Sequence, residues 1–141
     1  MSEVSVSSSP MTRPVSTPDA PPAIGPYAQA IIAGDLVFTS GQIPLDPETG
    51  AMVEGGITAQ TIRVLENLKA VLGAAGSGLE HVARATVYLV DLGHYPEVNR
   101  IWGEYFGAHP PARSAVQVAG LPRGSLIEVD LVARVARGDG G

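Results

Sequence analysis

The chain has 141 residues, a length that suits one domain with a buried core of its own. It contains no cysteine, which excludes disulfide bonds, thiolate nucleophiles and zinc sites built on cysteine. The formal net charge is −5 and Lys69 is the only lysine, so no nucleic-acid partner is expected, since that binding depends on clustered basic side chains. Charged residues make up only 16% of the chain, and we expect part of the surface to be buried against further copies of it.

The first 22 residues are rich in Ser, Pro and Thr, which predicts a flexible N-terminal tail. They resemble neither a secretory signal, which needs a basic start and an apolar stretch, nor an Arg-rich transit peptide. No apolar run approaches the ~18 residues that span a bilayer, so no membrane partner is expected. The sequence therefore predicts a soluble, cytoplasmic protein with one domain over residues 23–136 and a short C-terminal tail over residues 137–141.

The first half of the domain predicts a hairpin followed by a helix. Strands are expected over residues 29–33 and 36–45, and Gly34-Asp35 between them suits a tight turn. Apolar residues then recur at three- and four-residue steps over residues 57–75, which is typical of a helix with one buried stripe. Gly76 is suited to cap that helix.

The second half predicts strand, helix and two closing strands. A segment rich in Val, Thr and Tyr predicts a strand over residues 82–92, and one apolar face predicts a helix over residues 95–108. Closing strands are expected over residues 112–119 and 126–135. This order predicts an α+β domain in which both helices cover one face of a mixed or mostly antiparallel sheet.

The opposite face of such a sheet must meet solvent or another subunit, and the low charge favours a subunit. Three chains around a shared axis would suffice, with clefts between neighbouring chains, where pockets commonly form. If the two closing strands pair as a hairpin, Arg113 and Glu128 project from the same face and can bracket a small ligand.

Arg113 is the main candidate for ligand binding. It follows the rigid pair Pro110-Pro111, and its planar guanidinium can make two parallel charge-assisted bonds to a carboxylate. The alternative is a structural ion pair with Glu128 or Asp130, which lie close by in sequence.

The other candidates each have a structural alternative. Glu128 lies among apolar residues of a strand, where it is either a site carboxylate or simply solvated. Ser40 and Gly41 end an apolar strand, where the glycine would let a ligand approach the backbone amide or would form a plain bulge. Tyr27 follows a Gly-Pro turn and either packs or offers its hydroxyl to a ligand. Asn99, in the second predicted helix, is unremarkable by itself.

The sequence contains no motif for metal binding, nucleotide binding or covalent catalysis. The three histidines lack the spacing of metal ligands on a helix, and no Ser-His-Asp arrangement follows from the sequence. Neither a phosphate-binding loop nor a dinucleotide-binding fingerprint occurs among the 17 glycines. We therefore expect no metal, no cofactor and no covalent intermediate.

Three segments resemble the RidA (YjgF) family, and the resemblance extends over about residues 23–135. They are Ile24-Gly25-Pro26-Tyr27, the run from Phe38 to Pro44, and Pro111-Ala112-Arg113-Ser114. The resemblance implies a chorismate-mutase-like fold and a homotrimer with three clefts between subunits. It also implies 2-iminobutanoate/2-iminopropanoate deaminase activity, in which reactive enamines and imines are hydrolysed to 2-oxo acids and ammonia.

The resemblance also assigns roles by position. Arg113 resembles the arginine that binds the substrate carboxylate, and Glu128 the acid that holds the attacking water. The positions that resemble the lining of the substrate pocket are Tyr27, Ser40, Gly41 and Asn99. Ala115 stands where many members have cysteine, so thiol oxidation cannot regulate this chain, whereas a backbone contribution to substrate binding from that position would remain.

Imine hydrolysis suits this set of residues because it needs positioning, charge neutralisation and proton transfer rather than a protein nucleophile. A noncatalytic trimer that binds small carboxylic metabolites, or that shields unfolded proteins as a holdase, is the main alternative. RNA cleavage is less consistent with an acidic chain that lacks a basic, aromatic stripe.

Overall fold

The structure is a computed structural model and describes residues 11–136. It contains one six-stranded sheet and two α-helices. The strands are β1 Thr12–Val15, β2 Ala30–Ala33, β3 Leu36–Thr39, β4 Val82–Leu89, β5 Ala112–Gln117 and β6 Ile127–Arg134, and the helices are α1 Gly56–Ala74 and α2 Tyr95–Phe106. The strand order is β1-β2-β3-β6-β4-β5. None of the helices in this part of the chain is long and apolar enough to cross a membrane.

The sheet is mixed, as the sequence predicted. Strands β4 and β5 run parallel and are joined through α2, whereas every other neighbouring pair is antiparallel. A parallel pair needs a crossover connection, and a helix of 12 residues supplies it here.

Both helices cover one face of the sheet, which confirms the predicted α+β architecture. The side chains of β6 alternate between buried and half-buried, so that one set faces the helices and the other set faces away. The core between helices and sheet includes Leu65, Leu68 and Leu72 of α1 and Ile127 and Leu131 of β6. We call the face turned away from the helices the outer face.

The predicted hairpin and the predicted helix end are both confirmed. Ala33 pairs with Leu36 across the turn, and Gly34 has a φ of 63°, a left-handed conformation that favours glycine. Gly76 follows α1 with a φ of 78°, and the next amide, that of Ser77, donates to the Leu72 carbonyl at 2.8 Å. This is a glycine-ended helix cap.

The predicted flexible tail does not extend over all of residues 1–22, because part of that range forms a strand. Residues Thr12–Val15 form β1 and pair with β2 along its whole length. The apolar Val15 and Ala20 are buried in the core, which compensates for the cost of ordering this segment. Residues 1–10 and the predicted C-terminal tail, 137–141, lie outside the described residues.

The predicted strand over residues 36–45 ends early, at Thr39. Phe38 pairs with Val132 of β6 but Gln42 pairs with Val129, so the first strand has one residue more than its partner between these two pairs. This insertion is a β-bulge at residues 40 and 41, and it turns the chain out of regular pairing.

The hairpin considered for the two closing strands does not form. Strand β5 pairs with β4, and β6 lies between β3 and β4. Arg113 and Leu131 both pair with Ala85, so Arg113 lies on the face that the helices cover, whereas Glu128 lies opposite Tyr88 on the outer face. The expectation that Arg113 and Glu128 share one face of the chain is therefore wrong.

Candidate functional site

Arg113 is held by aromatic side chains of α2. Its Nη2 donates a hydrogen bond to the Tyr95 hydroxyl at 2.6 Å, and its guanidinium carbon lies 5.3 Å from the Tyr95 ring centroid and 5.0 Å from that of Trp102. Among the described residues Arg113 makes no ion pair, so the alternative considered for it, a structural pairing with Glu128 or Asp130, does not occur. The guanidinium is thus fixed in direction, and no carboxylate within residues 11–136 pairs with its charge.

Arg113 and Asn99 line the same open groove of about 410 Å³, together with Trp102, Gly103, Phe106, Gly107, Pro110 and Pro111. Asn99 is exposed on α2, and its side-chain amide makes no hydrogen bond within the described part of the chain. The side chain of Ala115 packs against the hydrophobic core, so this residue can meet a ligand only through its backbone. The groove therefore combines a fixed cation with an unengaged amide.

Glu128 is half-buried on the outer face of β6. Burial raises the pKa of its carboxyl group above the ordinary value of 4.5, and the neighbouring Asp130 carboxylate raises that pKa further. No hydrogen bond to the Glu128 side chain occurs among the described residues. A carboxyl group in this environment exchanges protons closer to neutral pH than an exposed one does.

Gly41 gives the Glu128 carboxylate its space. A Cβ atom at position 41 would overlap Oε2 of Glu128 and would lie 2.7 Å from its Cδ. The Gly41 amide has no hydrogen-bond partner among the described residues, whereas the flanking Ser40 and Gln42 amides donate to Gln29 and Val129. The bulge therefore presents a free N–H group beside a half-buried carboxyl group.

The Ser40 side chain stabilises the bulge, and its hydroxyl proton is already used in a hydrogen bond and is not free for a ligand. Its hydroxyl donates to the Ala28 carbonyl at 2.6 Å. Tyr27 is 54% exposed, and its hydroxyl accepts a hydrogen bond from the Ile24 amide at 3.3 Å. Tyr27 and Gly41 line one cavity of about 270 Å³, together with Pro21, Pro22, Ile24, Gln29, Gln42, Ile43, Leu45, Pro122 and Arg123.

The predicted residues thus form two groups. We call Arg113, Asn99 and Ala115 the Arg113 half-site, and Glu128, Gly41, Ser40 and Tyr27 the Glu128 half-site. A single chain places the two half-sites on opposite sides of its sheet.

The sequence prediction missed the residues that position these groups. Tyr95 and Trp102 are seven residues apart, which places them on one side of a helix, and that spacing could have identified them as partners for a cation. Thr39 was also missed. Its hydroxyl accepts from the Leu131 amide at 2.9 Å at the point where the bulge interrupts backbone pairing, and no local pattern indicates this.

A family model described as endoribonuclease L-PSP matches residues 17–135. This fold and this match define the class of protein: the chain belongs to the endoribonuclease L-PSP family, which is the RidA/YjgF family. The resemblance given by the three sequence segments is confirmed.

Named relatives share most of their length with this chain. The human 2-iminobutanoate/2-iminopropanoate deaminase is 44% identical over 126 residues, which cover 89% of this chain and 92% of the human protein. A solved structure from Thermotoga maritima is 51% identical with a TM-score of 0.86 and covers 89% of this chain and 98% of its own. The crystal structure of Escherichia coli TdcF with bound serine is 38% identical with a TM-score of 0.83 and covers 88% of this chain and 99% of its own.

Proposed function

We propose that the protein hydrolyses 2-imino acids and their enamine tautomers, such as 2-iminopropanoate and 2-iminobutanoate, to 2-oxo acids and ammonia. The main support is Arg113, whose guanidinium is fixed by Tyr95 and Trp102, faces an open groove and has no carboxylate partner among the described residues. A small acid that enters this groove would supply the missing carboxylate. The name of the human relative and the serine bound to TdcF are consistent with a small ligand that carries a carboxylate.

We further propose that the working protein is a homotrimer and that each catalytic cleft joins the Arg113 half-site of one subunit to the Glu128 half-site of its neighbour. Two features support this arrangement. The half-sites lie on opposite sides of the sheet, and β5, which carries Arg113, is an edge strand with backbone groups free to meet another chain. The outer face is not covered by the helices, so a neighbouring subunit can pack against it.

In the proposed reaction Arg113 binds the substrate carboxylate through its two-pronged guanidinium. Glu128 accepts a proton from a water molecule as the water oxygen bonds to the imine carbon and the C=N π electrons move to nitrogen. That proton passes from Glu128 to the nitrogen, which gives a tetrahedral intermediate with one hydroxyl and one amino group. Glu128 then takes the hydroxyl proton and passes it to the amino nitrogen, and the C–N bond breaks with its electron pair on nitrogen, so that ammonia leaves as the carbonyl forms. The free Gly41 amide can stabilise the oxygen of the tetrahedral intermediate.

The proposal is tested by stopped-flow decay of enzymatically generated 2-aminoacrylate, with and without the protein. Wild type is expected to accelerate the decay, and Arg113→Ala to lose about 10²- to 10³-fold in kcat/KM, because two charge-assisted bonds to the substrate are removed. Arg113→Lys keeps the charge but loses the planar fork, so an intermediate value is expected. Arg134→Ala is the matched control, since it removes an exposed arginine whose partner is Asp35.

Unchanged turnover in Arg113→Ala would contradict the assignment of Arg113. If wild type binds 2-oxobutanoate in an Arg113-dependent manner but does not accelerate the decay, the noncatalytic carboxylate binder is the better description. An RNA-cleavage assay in parallel addresses the activity in the family name, which the net charge of −5 does not favour.

A further inference from the structure

Glu128 belongs to a cluster of polar side chains on the outer face that the proposed reaction does not yet use. Tyr88 of β4 lies directly opposite Glu128 in the antiparallel pairing, and Thr86 lies opposite Asp130. The Tyr88 hydroxyl donates a hydrogen bond to Oδ2 of Asp130 at 2.9 Å. Asp130 follows Glu128 by two residues and points to the same face.

The two carboxyl groups of this cluster, those of Asp130 and Glu128, differ in their hydrogen bonds. Asp130 accepts the hydrogen bond from the Tyr88 hydroxyl at 2.9 Å. Burial, and next the hydrogen bond to Asp130, raise the pKa of Tyr88 above 10.0, so its hydroxyl remains a donor at neutral pH. Glu128 receives no such bond from the described residues and is half-buried.

Charged and titratable groups surround Glu128 on the neighbouring elements. Strand β6 contributes Asp130, and β4 contributes Tyr88 and, further along the same face, Arg84. The Arg84 guanidinium donates to Ser114 of β5 at 3.0 Å and makes no ion pair among the described residues. The bulge contributes Gly41, which has no charge. The cavity beside Gly41 is also lined by Tyr27 and by Arg123, whose guanidinium donates to the Gly50 carbonyl at 3.1 Å. No cation in the described chain therefore pairs with either carboxyl group, so ionising both at once is unfavourable.

We propose that Asp130, which accepts the hydrogen bond from the Tyr88 hydroxyl, is a positioning residue that makes Glu128 the proton-carrying member of this carboxyl pair. The proposal about the pair stands on the geometry of β4 and β6. Its consequence for catalysis rests on the proposed function: each proton that Glu128 takes, first from the attacking water and then from the hydroxyl of the tetrahedral intermediate, is held there until the nitrogen accepts it. Glu128 then returns to its carboxylate form, and nothing is oxidised or reduced in the cycle.

The test is a carbon-13 NMR titration of side-chain carboxyl groups in the full chain, with Glu128 assigned by its loss in Glu128→Gln. In Asp130→Asn the titration midpoint of Glu128 is expected to fall while staying above that of an exposed glutamate, because burial remains. In Tyr88→Phe the Glu128 midpoint is also expected to fall, because Asp130 loses its hydrogen-bond donor and can share the proton of the pair with Glu128. Asp130→Glu should restore the Glu128 midpoint. Glu54→Gln, which removes an exposed negative charge elsewhere, should leave it unchanged.

The pH dependence of kcat/KM separates this inference from the proposed function. The acidic limb of the profile is expected to move in Asp130→Asn in the same direction as the NMR midpoint. If the NMR midpoint of Glu128 moves in Asp130→Asn but the acidic limb of the kcat/KM profile does not, the inference about the carboxyl pair is supported and the proposed role of Glu128 in the reaction is contradicted. A Glu128 midpoint that is the same in wild type, Asp130→Asn and Tyr88→Phe would overturn the inference. If Asp130→Asn does not fold, an unchanged Glu128 midpoint in Tyr88→Phe alone would overturn it.

Discussion

Gly41 shows how the absence of a side chain can define a site. Its backbone is not in the left-handed region, so conformational freedom does not explain why glycine is present here. The reason is space, because the Glu128 carboxylate occupies the volume that a Cβ atom would need. The same close approach leaves the Gly41 amide exposed to a ligand beside that carboxylate.

Gly41→Ala is expected to keep the fold and lose activity. The new methyl group would displace the Glu128 carboxylate, which is the end of a flexible side chain and can move at little cost in stability. A displacement of about 1 Å at a catalytic group costs on the order of 10²-fold in rate, so we expect a loss of that size in kcat/KM for the imine substrate.

Gly73→Ala is the matched control for this substitution. Gly73 lies in α1 with no atom within 4 Å of a built Cβ, and alanine is preferred there by about 0.5–1 kcal/mol. Its activity should equal that of wild type, with a slightly higher free energy of unfolding. Full activity in Gly41→Ala would show that the Glu128 position is not critical.

Helix α2 links the core to the Arg113 half-site. Its buried side chains pack against the sheet and α1, while Tyr95 and Trp102 on the same helix hold the guanidinium. Polar contacts tie the helix to α1 at both ends: the Thr58 hydroxyl donates to Glu97 at 2.7 Å, and the Tyr105 hydroxyl donates to Glu66 at 2.7 Å. The placement of Arg113 therefore depends on the packing of two helices.

Tyr105→Phe is expected to lower the free energy of unfolding by about 1 kcal/mol at pH 7, because one part-buried hydrogen bond to a carboxylate is lost. Burial, and next the Glu66 carboxylate, raise the pKa of Tyr105 from 10.0 to about 12. A raised pKa means that this stabilisation is complete below pH 10 and is lost as the pH rises through about 12. We expect urea unfolding of wild type and Tyr105→Phe to give a smaller difference in the free energy of unfolding near pH 11 than at pH 7.

A double-mutant cycle with Glu66→Gln isolates the contact. If the hydrogen bond accounts for the effect, the combined variant should be less destabilised than the sum of the single variants. Additive effects would instead assign the loss to packing at Tyr105.

At the scale of the whole molecule, the division of the candidate site is the main consequence of the fold. Strand β5 pairs with β4 rather than with β6, and this pairing places Arg113 and Glu128 on opposite sides of the sheet. A cleft that contains both residues then requires two copies of the chain. The low charge content and the edge position of β5 are consistent with such an assembly.

Hybrid oligomers test this division directly. Arg113→Ala and Glu128→Gln subunits are each expected to be inactive, and unfolding and refolding them together in equal amounts should restore about a quarter of wild-type activity, since a cleft between random neighbours is intact in one case of four. Sedimentation should give three times the 14.5 kDa of one chain.

The same two variants, refolded separately and then mixed, serve as the control and should remain inactive while subunits do not exchange. No recovery after joint refolding, with the oligomer intact, would show that each site lies within one subunit. A monomer in sedimentation would contradict the trimer itself.

Much of the fold and of the list of site residues follows from local sequence. The three- and four-residue spacing of apolar side chains gave α1 to within one residue at each end, and Gly34 and Gly76 marked the turn and the helix cap. The residues at positions 113 and 41 also lie in the segments that carried the family resemblance, which the family model confirms.

What local sequence left undetermined was decided by contacts between distant segments. Alternation along β5 and β6 depends on residues two apart, so it indicates two-sided strands, but it does not say which strands pair or which face meets the helices. The insertion of β6 between β3 and β4, the bulge beside Glu128 and the placement of Arg113 over Trp102 all join residues far apart in the chain. The sequence by itself determined which groups the protein carries and most of the elements it forms, though not β1. Only the tertiary structure decided that these groups form two half-sites, because strand pairing minimises the energy of the whole sheet rather than of any one segment.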